Sequence, residues 1–319
     1  MTAMRAAVFH APRDVRIERV AVPEPGPGEV LVRVEAALTD GTDAKCYLRG
    51  HPVLLGSTPS PFGHEYAGTV AAAGAGAGFR PGDRVAGANS APCDACDACR
   101  ADREELCTGL FPLLNGAYAE YLLVPERIAR ANLYRLPDDL EPQVGAMCEP
   151  LACALHGVET TEARAGDRVC VLGRGALGRM LAASLAARGC EVVALRSSDP
   201  DPDVAFDRVI EAAGTAAAWE RAVRLAAPGA TVVLFGGLPA GTSVPVDAYR
   251  LHYEALTLRG VFHHAPRHVR AAVELLSRDP VPFQALITHE FGLDEVVVPL
   301  EMTAGLRPRD GILKAVIRP

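Results

Sequence analysis

The chain has 319 residues, 49% of them hydrophobic, which is enough for two domains with real cores. Its formal charge is −7, from 32 basic and 39 acidic residues with no long basic run, which argues against a nucleic-acid partner. Gly, Pro or charge interrupts every apolar stretch well before the ~18 residues of a membrane span, and Met1-Thr2-Ala3-Met4-Arg5-Ala6-Ala7-Val8-Phe9-His10 lacks the apolar core of a secretory signal.

The first ~150 residues are rich in Gly and Pro, with short alternating apolar runs. Val30-Leu31-Val32-Arg33-Val34 and Ala117-Tyr118-Ala119-Glu120-Tyr121-Leu122-Leu123-Val124 are predicted strands. Pro25-Gly26-Pro27-Gly28 and Pro81-Gly82-Asp83 are predicted turns. The pattern predicts a small β-barrel with irregular loops. Within it, Cys93, Cys96 and Cys99 stand two residues apart, and Cys107 follows after seven more. Such spacing lets four thiolates close a tetrahedron around one zinc, a site with no open position and hence a structural one. The other five cysteines (Cys46, Cys148, Cys153, Cys170, Cys190) are scattered, mostly in apolar contexts, which fits reduced thiols and a cytoplasmic location.

The texture changes near Glu149. Residues 148–160 carry a helical apolar pattern, and Arg168-Val169-Cys170-Val171-Leu172 is a short apolar strand. A helix is expected through Arg188, with further strands at Glu191-Val192-Val193-Ala194-Leu195, Asp207-Arg208-Val209-Ile210-Glu211 and Thr231-Val232-Val233-Leu234-Phe235, and a helix over 216–227. Strands alternating with helices predict an α/β, doubly wound parallel sheet of the Rossmann type. Gly173-Arg174-Gly175-Ala176-Leu177-Gly178 lies between the first of these strands and its helix. That is the setting of a dinucleotide site: Gly173 for the tight turn, Gly175 for close approach of a pyrophosphate, Gly178 for helix–sheet packing, and the helix N-terminus at Ala176 and Leu177 toward the anion.

The end of the second strand selects between cofactors. Here Arg196-Ser197-Ser198 offers a cation and hydroxyls with no carboxylate in place, which favours NADP over NAD, although Asp199 could turn back toward a ribose. Only about ten residues separate that strand from Asp207, too few for another helix and strand. They reach at most ~33–36 Å, sufficient to return to the next strand. A sheet trimmed by about one strand and helix, to five parallel strands, is therefore expected.

Taken together, Gly41-Thr42-Asp43, Gly63-His64-Glu65, the four-cysteine lobe, Glu149-Pro150-Leu151-Ala152 and the glycine fingerprint resemble the zinc-dependent medium-chain dehydrogenases/reductases (the alcohol dehydrogenase family) over essentially the whole length. Pro61-Phe62-Gly63-His64-Glu65 with Glu149-Pro150-Leu151-Ala152 is similar to the branch acting on polyols, sugars and threonine. The resemblance implies a GroES-like catalytic domain over 1–150, with a structural zinc lobe at 90–110. It also implies a Rossmann cofactor domain over 151–275 and a return over 276–319, where Ile312-Leu313-Lys314-Ala315-Val316-Ile317 would rejoin the catalytic domain as a strand.

It further implies a catalytic zinc. The family's cysteine ligand is replaced here by Asp40; His64 stands at the histidine position, and Glu65 and Glu149 stand where that branch supplies or exchanges carboxylates. Asp40, His64 and one glutamate would hold the metal, which zinc chemistry allows, although the harder donors make oxygen-preferring ions more competitive. The alternative for Asp40 is a turn cap. Thr42 would start a hydroxyl relay, Asp43 would orient His64, and Lys45 would end the relay or lie solvated. His156, His252, His263 and His264 are expected in packing or surface roles, and Tyr47 and Tyr118 either line the pocket or belong to the core. The implied activity is NAD(P)-linked oxidation of a secondary alcohol in a polyol, sugar, cyclitol or similar polar compound, or reduction of the ketone, by a homodimer or homotetramer. The alternatives are a metal-free quinone or enone reductase of the same fold, and a nucleotide-binding protein whose catalytic site has decayed.

Overall fold

The structure, a computed structural model, describes residues 2–319, the side chains of Pro52 and Val53 excepted. The chain forms two compact units, Met1–Pro150 with Ala265–Pro319, and Leu151–His264.

In the first unit the strand Val30–Leu38 organises the rest, because its sequence is apolar almost throughout and both its edges are paired. Along one edge runs Glu65–Ala73, antiparallel; along the other lie Tyr121–Val124 and then Lys314–Arg318. Leu38 stands opposite both Glu65 and Val316, so register alone brings the start of one strand and the C-terminal strand to the same end of Val30–Leu38. Arg84–Gly87, Leu133–Arg135 and Ile287–Gly292 complete the seven-stranded sheet. A three-stranded sheet of Ala3–Ala11, Asp14–Ala21 and Ser60–Pro61 stands beside it. Phe9, Phe62, Tyr66, Tyr118, Leu122 and Ile317 fill the core.

The expected strand over 117–124 is a strand only from Tyr121. Upstream, Tyr118 N–H donates to the Phe62 carbonyl, and one isolated bridge, Ala119 opposite Ala6, ties the chain to Ala3–Ala11 through Ala7 N–H to Tyr118 O and Glu120 N–H to Arg5 O. The Tyr118 ring lies flat over Gly63 (φ +86°), where an added Cβ would come within 2.7 Å of it. A regular ladder cannot continue through that packing.

The second unit is a sheet of five parallel strands in the order Glu191–Leu195, Arg168–Leu172, Phe206–Glu211, Ala226–Leu234, Thr257–Gly260. Against the doubly wound order 3-2-1-4-5-6 the third strand is missing, as the short link before Asp207 predicts. The helix expected over 216–227 is Ala216–Leu225, capped by Thr215; the strand then begins at Ala226, ahead of Pro228-Gly229, which cannot extend a helix. Arg221 on that helix is buried and ties down the link that replaces the lost strand. It donates to Asp201 Oδ1 (2.6 Å), to the Arg196 and Asp199 carbonyls (both 2.8 Å) and to Ser197 O (3.3 Å). No helix among the described residues is long and apolar enough to cross a membrane.

Replacing Arg221 by Ala leaves those carbonyls without their donor. The expected loss is about 1–3 kcal/mol of unfolding free energy, read by urea denaturation; a change under about 0.5 kcal/mol would show the clamp to be dispensable.

Candidate active site and metal centres

At the end of Val30–Leu38 the chain turns into the helix Gly41–Arg49, and Asp40 is its N-cap: Oδ1 accepts the Asp43 N–H at 2.7 Å. The sequence alternatives for Asp40 therefore do not compete. One oxygen caps, and the other, Oδ2, points to His64 Nε2 at 3.8 Å. Tetrahedral geometry with ~2.1 Å bonds places two ligand atoms about 3.4 Å apart, so this spacing fits a shared ion after closing by a few tenths of an ångström. His64 Nδ1 donates to Asp43 Oδ1 at 2.9 Å, which leaves Nε2 facing the site, open to a cation that displaces its proton. The buried Tyr118 hydroxyl donates to the other Asp43 oxygen, so Asp43 is held from two sides. Ligand atoms of His64, Glu65 and Glu149 all lie within 4.8 Å of one another, as do those of Asp40, Asp43 and His64.

This cluster is almost wholly buried, and Lys314 stands in it with 2% exposure. Its ammonium donates to both Glu65 oxygens, one at 2.5 Å, and lies 3.5 Å from the Thr39 carbonyl. Burial alone would raise the Asp40 carboxyl; His64 and Lys314 outweigh it and hold it below the usual range. Burial likewise depresses the His64 imidazolium, but Asp43 and Asp40 reverse this and raise it well above its ordinary value. Glu65 is pushed up by burial, with Lys314 as the main opposing influence. Burial pulls the Lys314 ammonium down, yet Glu65 and Asp40 raise it overall. Excess acidic charge in a dry site is what a divalent cation would neutralise. Of the relay candidates, Thr42 is half-buried in the first turn of the helix, whereas Lys45 is exposed.

The four lobe cysteines bring their sulfurs within 4.8 Å of one another, Cys96 and Cys99 at 3.5 Å. Zinc–sulfur bonds of about 2.3 Å in a tetrahedron place sulfurs ~3.8 Å apart, so the set fits the ion. The Cys93 and Gly109 N–H groups donate to Cys107 Sγ, both at 3.2 Å. N–H groups of Cys99 and Thr108 hold the Cys96 thiol down to about 5, whereas burial and the neighbouring thiols push Cys99 up to about 12. One thiolate forms readily and the next is resisted, until a cation joins them.

In the second unit Gly173 takes φ +130° between Arg168–Leu172 and the helix Ala176–Ala187. An added Cβ at Gly178 would sit 1.9 Å from the Gly173 carbonyl oxygen, whereas one at Gly175 meets nothing within 4 Å. Gly178 thus serves helix–strand contact, and Gly175 leaves room for a pyrophosphate before the free N–H groups of Ala176, Leu177 and Gly178. Arg196 and Ser197 are exposed past Glu191–Leu195. The Asp199 carboxylate accepts the Arg196 N–H at 2.8 Å and so closes the turn itself. His156 Nδ1 lies 2.9 Å from the His263 carbonyl, His263 and His264 stack at 4.0 Å, and His252 is exposed against Tyr253. Tyr47 is buried and donates to Glu301 at 3.1 Å.

Sequence reasoning missed two charged groups. Lys314 was legible only as part of a strand; a lone lysine inside Ile312-Leu313-Lys314-Ala315-Val316-Ile317 was the available signal of a buried cation with a partner. Glu211, fully buried at the end of Phe206–Glu211, accepts N–H groups of Ala213, Gly214 and Gly236 (2.7, 2.6 and 3.2 Å) and fixes the loops at the strand ends. Nothing in its sequence context marks it. Replacing Cys96 by Ala is expected to strip zinc from the lobe and lower the Tm, followed by metal analysis and calorimetry; unchanged zinc content would rule the lobe out as a metal site. Tyr118→Phe leaves a buried Asp43 oxygen without its donor and is expected to cost about 1–3 kcal/mol in denaturant titrations, so an unaltered midpoint would contradict the two-sided hold on Asp43.

Residues 26–138 match the family described as "Alcohol dehydrogenase GroES-like domain", and residues 202–278 match "Zinc-binding dehydrogenase". An L-threonine 3-dehydrogenase of Deinococcus deserti is 30% identical over 310 residues, 86% of this chain and 88% of the relative. A sorbitol dehydrogenase of Bacillus subtilis is 26% identical over 351 residues, covering 99% and 97%. A solved structure from Sinorhizobium meliloti, designated a zinc-binding dehydrogenase and bound to NADP, superposes with a TM-score of 0.90 at 29% identity over 100% of both chains. With the GroES-like sheet, the five-stranded Rossmann sheet and these similarities, the chain belongs to the zinc-type medium-chain dehydrogenases of the alcohol dehydrogenase family.

Proposed function

We propose that this chain is a metal-dependent, NAD(P)-linked dehydrogenase. It oxidises a secondary alcohol of a polyol, sugar, cyclitol or similar polar compound, or reduces the corresponding ketone. The observation that carries this reading is a pair of clusters that share His64: Asp40 and Asp43 on one side and the buried Glu65 and Glu149 on the other, with Asp43 orienting His64. A bound divalent ion would supply Lewis acidity to the substrate oxygen, and NAD(P) the hydride acceptor. Thr42, half-buried in the first turn of the helix that Asp40 caps, would take the departing hydroxyl proton. Asp43 and Tyr118 keep His64 in the tautomer that offers Nε2. A metal-free quinone or enone reductase would gain nothing from carboxylates buried around a histidine, since uncompensated charge in a dry site is costly.

The similarity to a sorbitol dehydrogenase supports a polyhydroxylated substrate. NADP is the preferred cofactor: Arg196 and Ser197 stand at the strand end, Asp199 is committed to its turn, and a relative of 29% identity is bound to NADP. Exposed Tyr249, Tyr253 and Phe262 in the cofactor unit support assembly as a homodimer or homotetramer.

Asp40→Ala is expected to remove one metal per chain, leave the cysteine-lobe metal in place, and lower kcat/KM at least about 100-fold. Metal analysis with a screen over polyols, aminocyclitols and sugars reads both, and retention of both metals with full activity defeats the reading. Arg196→Asp is expected to weaken NADP relative to NAD by about tenfold or more, measured by fluorescence titration; an unchanged ratio removes Arg196 from cofactor selection.

A further inference from the structure

We propose that Arg221 is a positioning residue for the 2′-phosphate of NADP: by gathering three backbone carbonyls behind the turn at 196–199, it directs the N–H groups of Ser197 and Ser198 outward as donors to that phosphate. This rests on the NADP reading above and deepens it, because that reading engaged only Arg196 and Ser197 at the strand end and left open what aims the turn.

Arg221 lies on the helix Ala216–Leu225 and is 7% exposed. Its Nη1 donates to the Arg196 and Ser197 carbonyls at 2.8 and 3.3 Å, its Nη2 to the Asp199 carbonyl at 2.8 Å, and its Nε to Asp201 Oδ1 at 2.6 Å. Four of the five guanidinium N–H groups are thereby used, and the Asp201 carboxylate balances the charge, so Arg221 itself has little left to offer a phosphate. It acts on the peptides instead. In a trans peptide the N–H points away from the C=O. The Arg196 and Ser197 carbonyls, drawn toward Arg221, therefore turn the Ser197 and Ser198 N–H groups to the opposite side. The third carbonyl, that of Asp199, is bonded to Pro200, which has no N–H, so the outward donors are confined to the two serines.

The turn suits an anion in other respects. Asp199 closes it: its N–H donates to the Arg196 carbonyl at 3.2 Å, and its carboxylate accepts the Arg196 N–H at 2.8 Å. Within Asp199-Pro200-Asp201-Pro202-Asp203, the first two carboxylates are thus already engaged. Among the described residues nothing accepts from the Ser197 or Ser198 N–H, and neither the seryl hydroxyls nor the Arg196 guanidinium has a hydrogen-bond or ion-pair partner. All three residues are exposed. Successive free N–H groups beside a guanidinium make a phosphate cradle. The clamp stands in for the missing third strand. Glu191–Leu195 is an edge of the five-stranded sheet, so no ladder beyond it holds the chain that leaves it. A side chain from the helix Ala216–Leu225 supplies the fixed points instead. Without Arg221 the turn would keep the charge of Arg196 and lose the aim of its backbone.

The test is calorimetric titration of the full-length parent, Arg221→Met and Arg221→Lys with NADP, NAD, adenosine 2′,5′-bisphosphate and adenosine 5′-phosphate. The parent should bind NADP more tightly than NAD. In Arg221→Met the NADP-to-NAD affinity ratio should fall about tenfold, and the ratio for the two fragments with it, while NAD affinity itself changes less than about twofold. Arg221→Lys keeps the charge but lacks the planar fork, so it should lose about threefold in the same ratio. A ratio within about twofold of the parent in Arg221→Met, or equal weakening of both cofactors, overturns the proposal. So does full retention of the ratio in Arg221→Lys, which would assign the effect to charge; that variant decides the matter by itself if Arg221→Met does not fold. A parent with no preference for NADP overturns the NADP reading and this proposal with it, whereas a preference that persists through both variants overturns this proposal alone.

Discussion

The burial of Asp43, Glu65 and Glu149 close around His64, with the half-buried Asp40 at its edge, is the constraint on which the first unit depends. Carboxylates taken out of water need hydrogen bonds and opposite charge, or the unit would not close over them. Three of them show their compensation directly. Asp43 has His64 and the Tyr118 hydroxyl, Glu65 has Lys314, and Asp40 has a helix N-terminus. Asp40 turns its remaining oxygen toward the imidazole Nε2.

Asp40 caps a helix with one oxygen and keeps the other directed at His64. Aspartate is a strong N-cap and can still present a second oxygen as a ligand. Holding Gly41–Arg49 by that cap also holds Thr42 and Asp43, which occupy its first turn, at fixed positions relative to His64. The capping bond therefore fixes the second Asp40 oxygen, Thr42 and the partner that orients the histidine at once.

Much of this was legible along the chain because the relevant signals are local. Cysteines two residues apart, a glycine run between strand and helix, and the short link before Asp207 each follow from backbone reach and turn geometry over a few residues. The five-stranded order, with the third strand gone, bears out that last reading. The reading of 117–124 as one strand fell short because alternation does not register a ring lying across a glycine far away in sequence, here Tyr118 on Gly63. Lys314 and Arg221 were equally opaque, since a long cationic side chain has the same local pattern whether it meets solvent or a carboxylate 20 or 249 residues distant.

By itself the sequence determined the fold class, the four-thiolate lobe, the dinucleotide fingerprint and the residues available to hold a second metal, all of them properties of neighbours or of short spacings. Only the tertiary structure decided how those residues are engaged. It put one Asp40 oxygen on the helix and the other toward His64, turned Asp199 back onto its own loop, and set Lys314 on Glu65. The reason is that strand register around Val30–Leu38 joins residues 38, 65 and 316 at one point, and which carboxylate meets which cation there is a matter of distance in space, which spacing along the chain does not encode.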